Sequence, residues 1–103
     1  MVLCRTVYQI TASFPDEEKF GLKSQLRRAS VNVPSNVAEG CGRYADKDFS
    51  RFLDIAAGSL FELETQRLLS HAFGYIDHKD CQIIEQETKE LGNMCYGLQR
   101  KLR

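Results

Sequence analysis

Apolar side chains recur at helical spacing from one end of the chain to the other. Leu3, Val7, Ile10 and Phe14 step by four, three and four, which predicts a first helix with one apolar stripe. The Phe14-Pro15 pair ends it, because a residue before proline is pushed out of the α region. Asp16 is placed to cap the next helix, with Glu17 and Glu18 at the positive end of its dipole. In that second helix Leu22, Leu26, Ala29, Val33 and Val37 share a face, and Pro34 falls inside the pattern. A proline there removes one backbone bond and crowds the preceding turn, so the spacing predicts a kink at Pro34, or alternatively a break into two helices. The segment ends near residues 40–42, where two glycines stand.

Asp46 caps a predicted third helix that runs to about residue 73. Its main stripe is Phe49, Phe52, Leu53, Ala56, Leu60 and Leu63, flanked by the polar Glu64 and Arg67. A second strip, Ala57, Phe61, Leu68 and Ala72, lies about 100° round the same helix. Either two neighbours within the chain cover both strips, or the second strip is a subunit interface. Gly74 closes this helix and Asp77 opens the fourth, in which Cys81, Ile84, Thr88, Leu91, Cys95, Leu98 and Leu102 alternate by threes and fours as an a/d seam does. Short turns between long helices predict an all-α, antiparallel up-down-up-down four-helix bundle forming a single domain over residues 1–103. Gly58, Gly92 and Gly97 inside the helices mark either close approach of another helix or simple tolerance.

Composition narrows the function. Fourteen basic and fourteen acidic residues give a net charge of zero, which excludes a globally basic nucleic-acid binder. Charge is unevenly spread: residues 1–43 hold six basic and four acidic side chains, and residues 44–74 hold three and five. Lys19, Lys23 and Arg27 recur every four positions, with Arg28 on the next face and Arg43 at the helix end. In a monomer these make a solvated helix face; repeated by symmetry in an assembly they make a phosphate-binding track. No apolar run approaches the roughly 20 residues of a membrane span, and the N-terminus lacks a secretory cleavage pattern. Four scattered cysteines fit buried thiols of a cytoplasmic protein better than a disulfide framework.

The chain carries little that reads as catalytic chemistry. Neither His71 nor His78 has the Glu three residues earlier that a di-iron bundle requires, and His78 with Cys81 makes at most two ligands. Phosphate loops, nucleophile elbows and Ser/His/Asp groupings are absent from the sequence. The expectation is a protein that is not an enzyme, with no metal, cofactor or small-molecule substrate. Asn36, Glu39, Glu62 and Glu64, with Arg27 or Arg28, are expected to form a polar network between helices, since a buried amide or carboxylate needs a partner.

The run SFPDEEKFGLKSQLRRASVNVPSNVAEGCGR at residues 13–43, together with GSLFELETQ at residues 58–66, resembles the four-helix-bundle family encoded in 23S rRNA intervening sequences. That resemblance implies a bacterial source, an antiparallel bundle and assembly into a homopentamer. The family is also similar to the accessory variability protein of diversity-generating retroelements, a basic pentamer that binds a reverse transcriptase and nucleic acid. RNA or a nucleoprotein is therefore an expected partner, and a protein–protein scaffold without nucleic acid is the alternative.

Overall fold

The computed structural model describes residues 2–102. It consists of four helices, α1 (Val2–Thr11), α2 (Leu22–Cys41), α3 (Asp46–Ala72) and α4 (His78–Lys101), with a 3-10 turn at Asp16–Glu18. Each helix packs on its neighbours in a cycle: α1 on α2, α2 on α3, α3 on α4, and α4 back on α1. Partner residues run in opposite order along each successive pair, as antiparallel neighbours require. Cys4 meets Ser30 while Thr11 meets Arg27; Gly40 lies on Phe49 while Glu18 meets Tyr75; Asp54 meets Gln99 while Arg67 meets Cys81. The bundle is 43 Å long and about 20 Å across, with extents of 43 × 23 × 19 Å. Its core is predicted in large part: Leu3 and Val7 of α1, Leu26, Ala29 and Val33 of α2, Leu53, Ala56 and Leu63 of α3, and Ile84 of α4 are all essentially inaccessible.

Three helix ends differ from the sequence reading. At one of them Asp46 is the first residue of α3 and Ala45 stands at the cap with no side-chain hydrogen bond, so Asp46 does not cap that helix. α1 stops at Thr11, three residues before Phe14-Pro15. The Thr11 hydroxyl donates back to the Val7 carbonyl at 2.7 Å, and the Phe14 N–H turns onto the Thr11 carbonyl at 3.0 Å. The chain thereby swings the Phe14 ring to within 5.4 Å of Tyr75. α2 starts at Leu22, so Asp16 caps no α-helix and Lys19 precedes the helix that carries Lys23 and Arg27. Glu18 does the capping from outside: its Oε1 accepts from the Leu22 N–H at 3.0 Å, and its Oε2 from the Tyr75 hydroxyl at 2.9 Å. Gly21 sits where a Cβ would collide with that carboxylate.

α2 continues through Pro34 as one helix, so the alternative of two helices does not form. Proline lacks the N–H that would bond the carbonyl four residues back, here Ser30. The Cys4 thiol of α1 donates to that carbonyl instead, at 3.0 Å. At the other turn, Gly74 takes φ +79°. The Tyr75 and Gly74 N–H groups then bond the Ser70 and His71 carbonyls at 2.9 and 3.0 Å, closing α3 with a Schellman motif. Asp77 caps α4 through the Asp80 N–H at 2.8 Å.

Candidate nucleic-acid interface and the groove between α3 and α4

The five predicted phosphate contacts divide by what already holds them. Arg27 is an anchor between helices: its Nε donates to Thr11 Oγ1 at 2.9 Å, its Nη2 to the Tyr8 carbonyl at 3.1 Å, and its guanidinium covers the Tyr8 ring at 4.4 Å. Arg43 pairs with Glu39 one turn back at 3.2 Å and lies over Phe52. Lys19 reaches the ring of Phe20, at 5.6 Å. Lys23 and Arg28 make no ion pair among the described residues, and Arg28 is exposed. Lys23, Arg28 and Lys19 are therefore the cations available to an outside anion.

The expected network of Asn36, Glu39, Glu62 and Glu64 between helices does not form. Asn36 donates to Asn32 of its own helix at 2.7 Å, Glu39 turns to Arg43, and Glu62 is exposed. Only Glu64 approaches such a network, and the residue at its centre is Arg67. This arginine continues the buried row Leu53, Ala56, Leu60, Leu63 and is itself 6% exposed. Its Nη1 donates to Cys81 Sγ at 3.1 Å and lies 3.5 Å from Glu85, while Nη2 is 3.9 Å from Glu64. The three–four spacing placed position 67 on the core row; its charge hid it, because a cation on an apolar seam reads as a flank.

Gln99 was missed for a different reason. A strict seven-residue repeat puts Leu98 inward, but a straight α-helix drifts by about 20° per heptad against that repeat. After more than two heptads the inward residue is Gln99, and Leu98 is 38% exposed. The Gln99 amide donates to the Ser50 carbonyl at 3.1 Å and to Asp54 at 2.6 Å, pinning α4 to the start of α3.

The second strip of α3 finds no neighbour within the chain. Phe61 is 71% and Leu68 54% exposed, Ala72 is exposed, and Ala57 is half-buried. Ala57 and Phe61 form one lip of a groove of about 430 Å3 between α3 and α4. Tyr96, exposed, stands on the other lip, with Lys89 and Asn93; Leu60 and Cys95 form the floor, and Arg67 with Glu85 closes one end. Thr88 Oγ1, buried in its wall, has no hydrogen-bond partner. Burial raises the Cys95 thiol above its ordinary pKa, leaving an apolar floor rather than a nucleophile. Gly58 and Gly97 have open space where a Cβ would stand, so neither marks a close approach within the chain.

The rings of His71 and His78 lie 6.2 Å apart at the α3–α4 turn, and the described residues contain no group of three or more His, Cys, Asp or Glu arranged to hold a metal. No helix among the described residues is long and apolar enough to cross a membrane.

The bundle is similar to the crystal structure of a protein of unknown function from the S23 ribosomal protein family of Bacteroides thetaiotaomicron. The TM-score is 0.82 at 19% identity, over 95% of this chain and 89% of that one. No curated protein matches the chain. Residues 1–97 match the 23S rRNA-intervening sequence proteins, and the chain belongs to that family.

Proposed function

We propose that this is a non-catalytic RNA-binding protein of the cytoplasm that works as a homo-oligomer, a pentamer by its family resemblance. The observation that carries the RNA reading is the separation of charge in a neutral chain. α1 and α2 bear Arg5, Lys23, Arg27 and Arg28 against one carboxylate between them, Glu39, which Arg43 engages. α3 bears five carboxylates against three cations. The outer face of α1 and α2 is thus the part of the surface where a polyanion meets cations without competing carboxylates. Lys23 and Arg28 supply the phosphate contacts on that face, and Lys19, which follows Asp16, Glu17 and Glu18, adds to them from just before α2. Arg27, already committed to α1, fixes the face that presents them, and Arg43 contributes from the end of α2. The family name supports an RNA, rather than another polyanion, as the partner.

The exposed strip on α3, Phe61 and Leu68 with Ala57 and Ala72, is the proposed seam between copies. A closed ring repeats the α1–α2 face and multiplies a modest local charge into a track.

Titration of the purified protein with RNA at increasing salt tests the reading. The log–log slope should be about 0.9 per duplex phosphate neutralised and nearer 0.7 on single strands. A Lys23→Glu, Arg28→Glu double variant should keep its helical signal and lose affinity with a shallower slope. Salt-insensitive binding, or unchanged affinity in the double variant, overturns the assignment.

A further inference from the structure

We propose that a cleft between α1 and α4 docks a basic amphipathic helix of a partner protein. This surface is separate from the RNA face on α1 and α2 and from the seam on α3, and the proposal does not rest on the RNA-binding reading.

The contact of α1 with α4 is the least extensive in the cycle of helices, and a cleft of about 520 Å3 runs along it. On α4 it is lined by Ile83, Glu87, Glu90 and Met94, which step by four, three and four and so share one stripe. The stripe covers three turns, about 16 Å at 1.5 Å per residue, and is apolar at both ends and acidic between. The Thr6–Glu87 hydrogen bond fixes the register of the two antiparallel helices, so Val2, one turn before Thr6, lies toward the Met94 end. Val2 is 68% and Met94 63% exposed, an apolar pair that no part of the described chain covers.

Charge selects the occupant. Neither Glu87 nor Glu90 has an ion pair among the described residues, and no lysine or arginine is among those that line the cleft. The Thr6 hydroxyl holds Glu87 in place by donating to its Oε1 at 3.0 Å, and the Gln86 amide donates to Glu90 at 3.2 Å. Glu87 Oε2 is shut off from water with no hydrogen-bond partner among the described residues, which costs free energy until a donor arrives. A lysine or arginine brought by an occupant supplies that donor. Apolar side chains on either side of it cover Val2 and Met94 at one end and Ile83 at the other, and a helix laid along the cleft presents both kinds at once. Nucleic acid is repelled by the two carboxylates. A polyamine would satisfy them but leave the apolar ends bare, and a neutral apolar helix would seal Glu87 without a donor.

The test titrates the purified protein into a fluorescein-labelled peptide of about three to five turns, with leucine and lysine at helical spacing. Two controls carry glutamate in place of lysine and serine in place of leucine. The leucine–lysine peptide should bind, and both controls should bind at least about tenfold more weakly. Glu87→Gln keeps an acceptor for Thr6 and should weaken binding by about 10- to 150-fold, the range for a hydrogen bond to a charged group. Met94→Ala, which spares the core, should weaken it by about fivefold or more. Glu62→Gln, an exposed carboxylate of α3, should leave affinity unchanged. Circular dichroism and sedimentation check fold and assembly in each variant. No binding by the leucine–lysine peptide, equal binding by either control, or wild-type affinity in Glu87→Gln or Met94→Ala overturns the proposal. Displacement of the peptide by spermidine at equal concentration makes the cleft a polyamine site and overturns it too. Dissociation of the assembly by either cleft variant makes it a contact between copies, with the same result.

Discussion

At the scale of single residues, the polar side chains inside the bundle are fasteners between helices. The Cys4 thiol is the least obvious of them. Pro34 leaves the Ser30 carbonyl without its usual helical donor, and Cys4 Sγ donates to it at 3.0 Å. Cys4→Ala should therefore destabilise the fold by about 1 kcal/mol or more through the orphaned carbonyl, whereas Cys4→Ser, which keeps a donor, should lose less. Urea unfolding of the two variants checks this; equal losses would reduce the thiol to a packing role. Arg27 joins the same two helices by two hydrogen bonds and a ring contact. Arg27→Ala should cost about 1.5–3 kcal/mol, the range for hydrogen bonds to a charged group. A stability loss within about 0.5 kcal/mol of wild type would show that the guanidinium is dispensable to the fold.

Two titrating groups act on the same fold. The Tyr75 pKa is raised from 10.0, first by its hydrogen bond to Glu18 and then by burial, and the Cys95 pKa is raised from 9.0 by burial. Each keeps its proton to a higher pH when folded, so above the unfolded pKa the unfolded chain binds fewer protons. Both contributions are complete below that point and are lost as pH climbs through 9 and 10 toward the raised folded values. The melting temperature should fall over that alkaline range, and Tyr75→Phe, with no phenol to ionise, should fall less steeply. A parallel decline in both proteins would remove Tyr75 from the account.

At the scale of elements, the spacing of apolar residues disclosed the four helices and their core-facing sides, because one stripe on each had to be buried on a neighbour. Helix ends were less legible. Asp16 followed by Glu17 and Glu18 is an ordinary start signal, yet α2 begins at Leu22. The deciding contact, Glu18 with both the Leu22 N–H and the Tyr75 hydroxyl, spans 57 positions for its second partner and has no local signature. Of the candidate site, the cations were legible as a row, but Arg27's commitment to Tyr8 and Thr11 depends on α1 lying alongside. The groove was not legible at all, since it belongs to the register between two helices.

Glycines illustrate the same division. Gly58 and Gly97 interrupt helices, yet a Cβ at either meets nothing within the chain. Gly40, which the sequence offers only as a helix end, lies where a Cβ would come within 2.8 Å of Phe49 Cδ1 and 3.1 Å of Phe52 Cβ. α2 and α3 make the most extensive contact in the bundle. Gly40→Ala should therefore destabilise it by about 1–3 kcal/mol through overpacking. Gly58→Ala should stabilise it by up to about 1 kcal/mol through helix propensity. Thermal melts of the pair give the contrast directly, and a destabilising Gly58→Ala would mean that this position is packed by something other than its own chain.

At the scale of the whole molecule, the problem is how a neutral chain gathers enough positive charge to hold RNA at physiological salt. Zero net charge leaves little electrostatic opposition to copies approaching one another. Leu68, 54% exposed, and Phe61, 71% exposed, occupy one face of α3 that no part of the chain covers. Burying that face between copies would put several α1–α2 faces on one particle, and affinity would rise through simultaneous engagement rather than through stronger single contacts. A carboxylate at the seam should reverse this without touching a cation of the RNA face. Leu68→Glu is expected to shift sedimentation from a multiple of 11.8 kDa to 11.8 kDa while the helical content persists. RNA affinity should fall with it, and the salt slope should drop as fewer phosphates are met by each particle. If Leu68→Glu remains assembled, the seam lies elsewhere. If it becomes monomeric and binds RNA with the wild-type slope, one bundle meets the phosphates alone and assembly serves some other end.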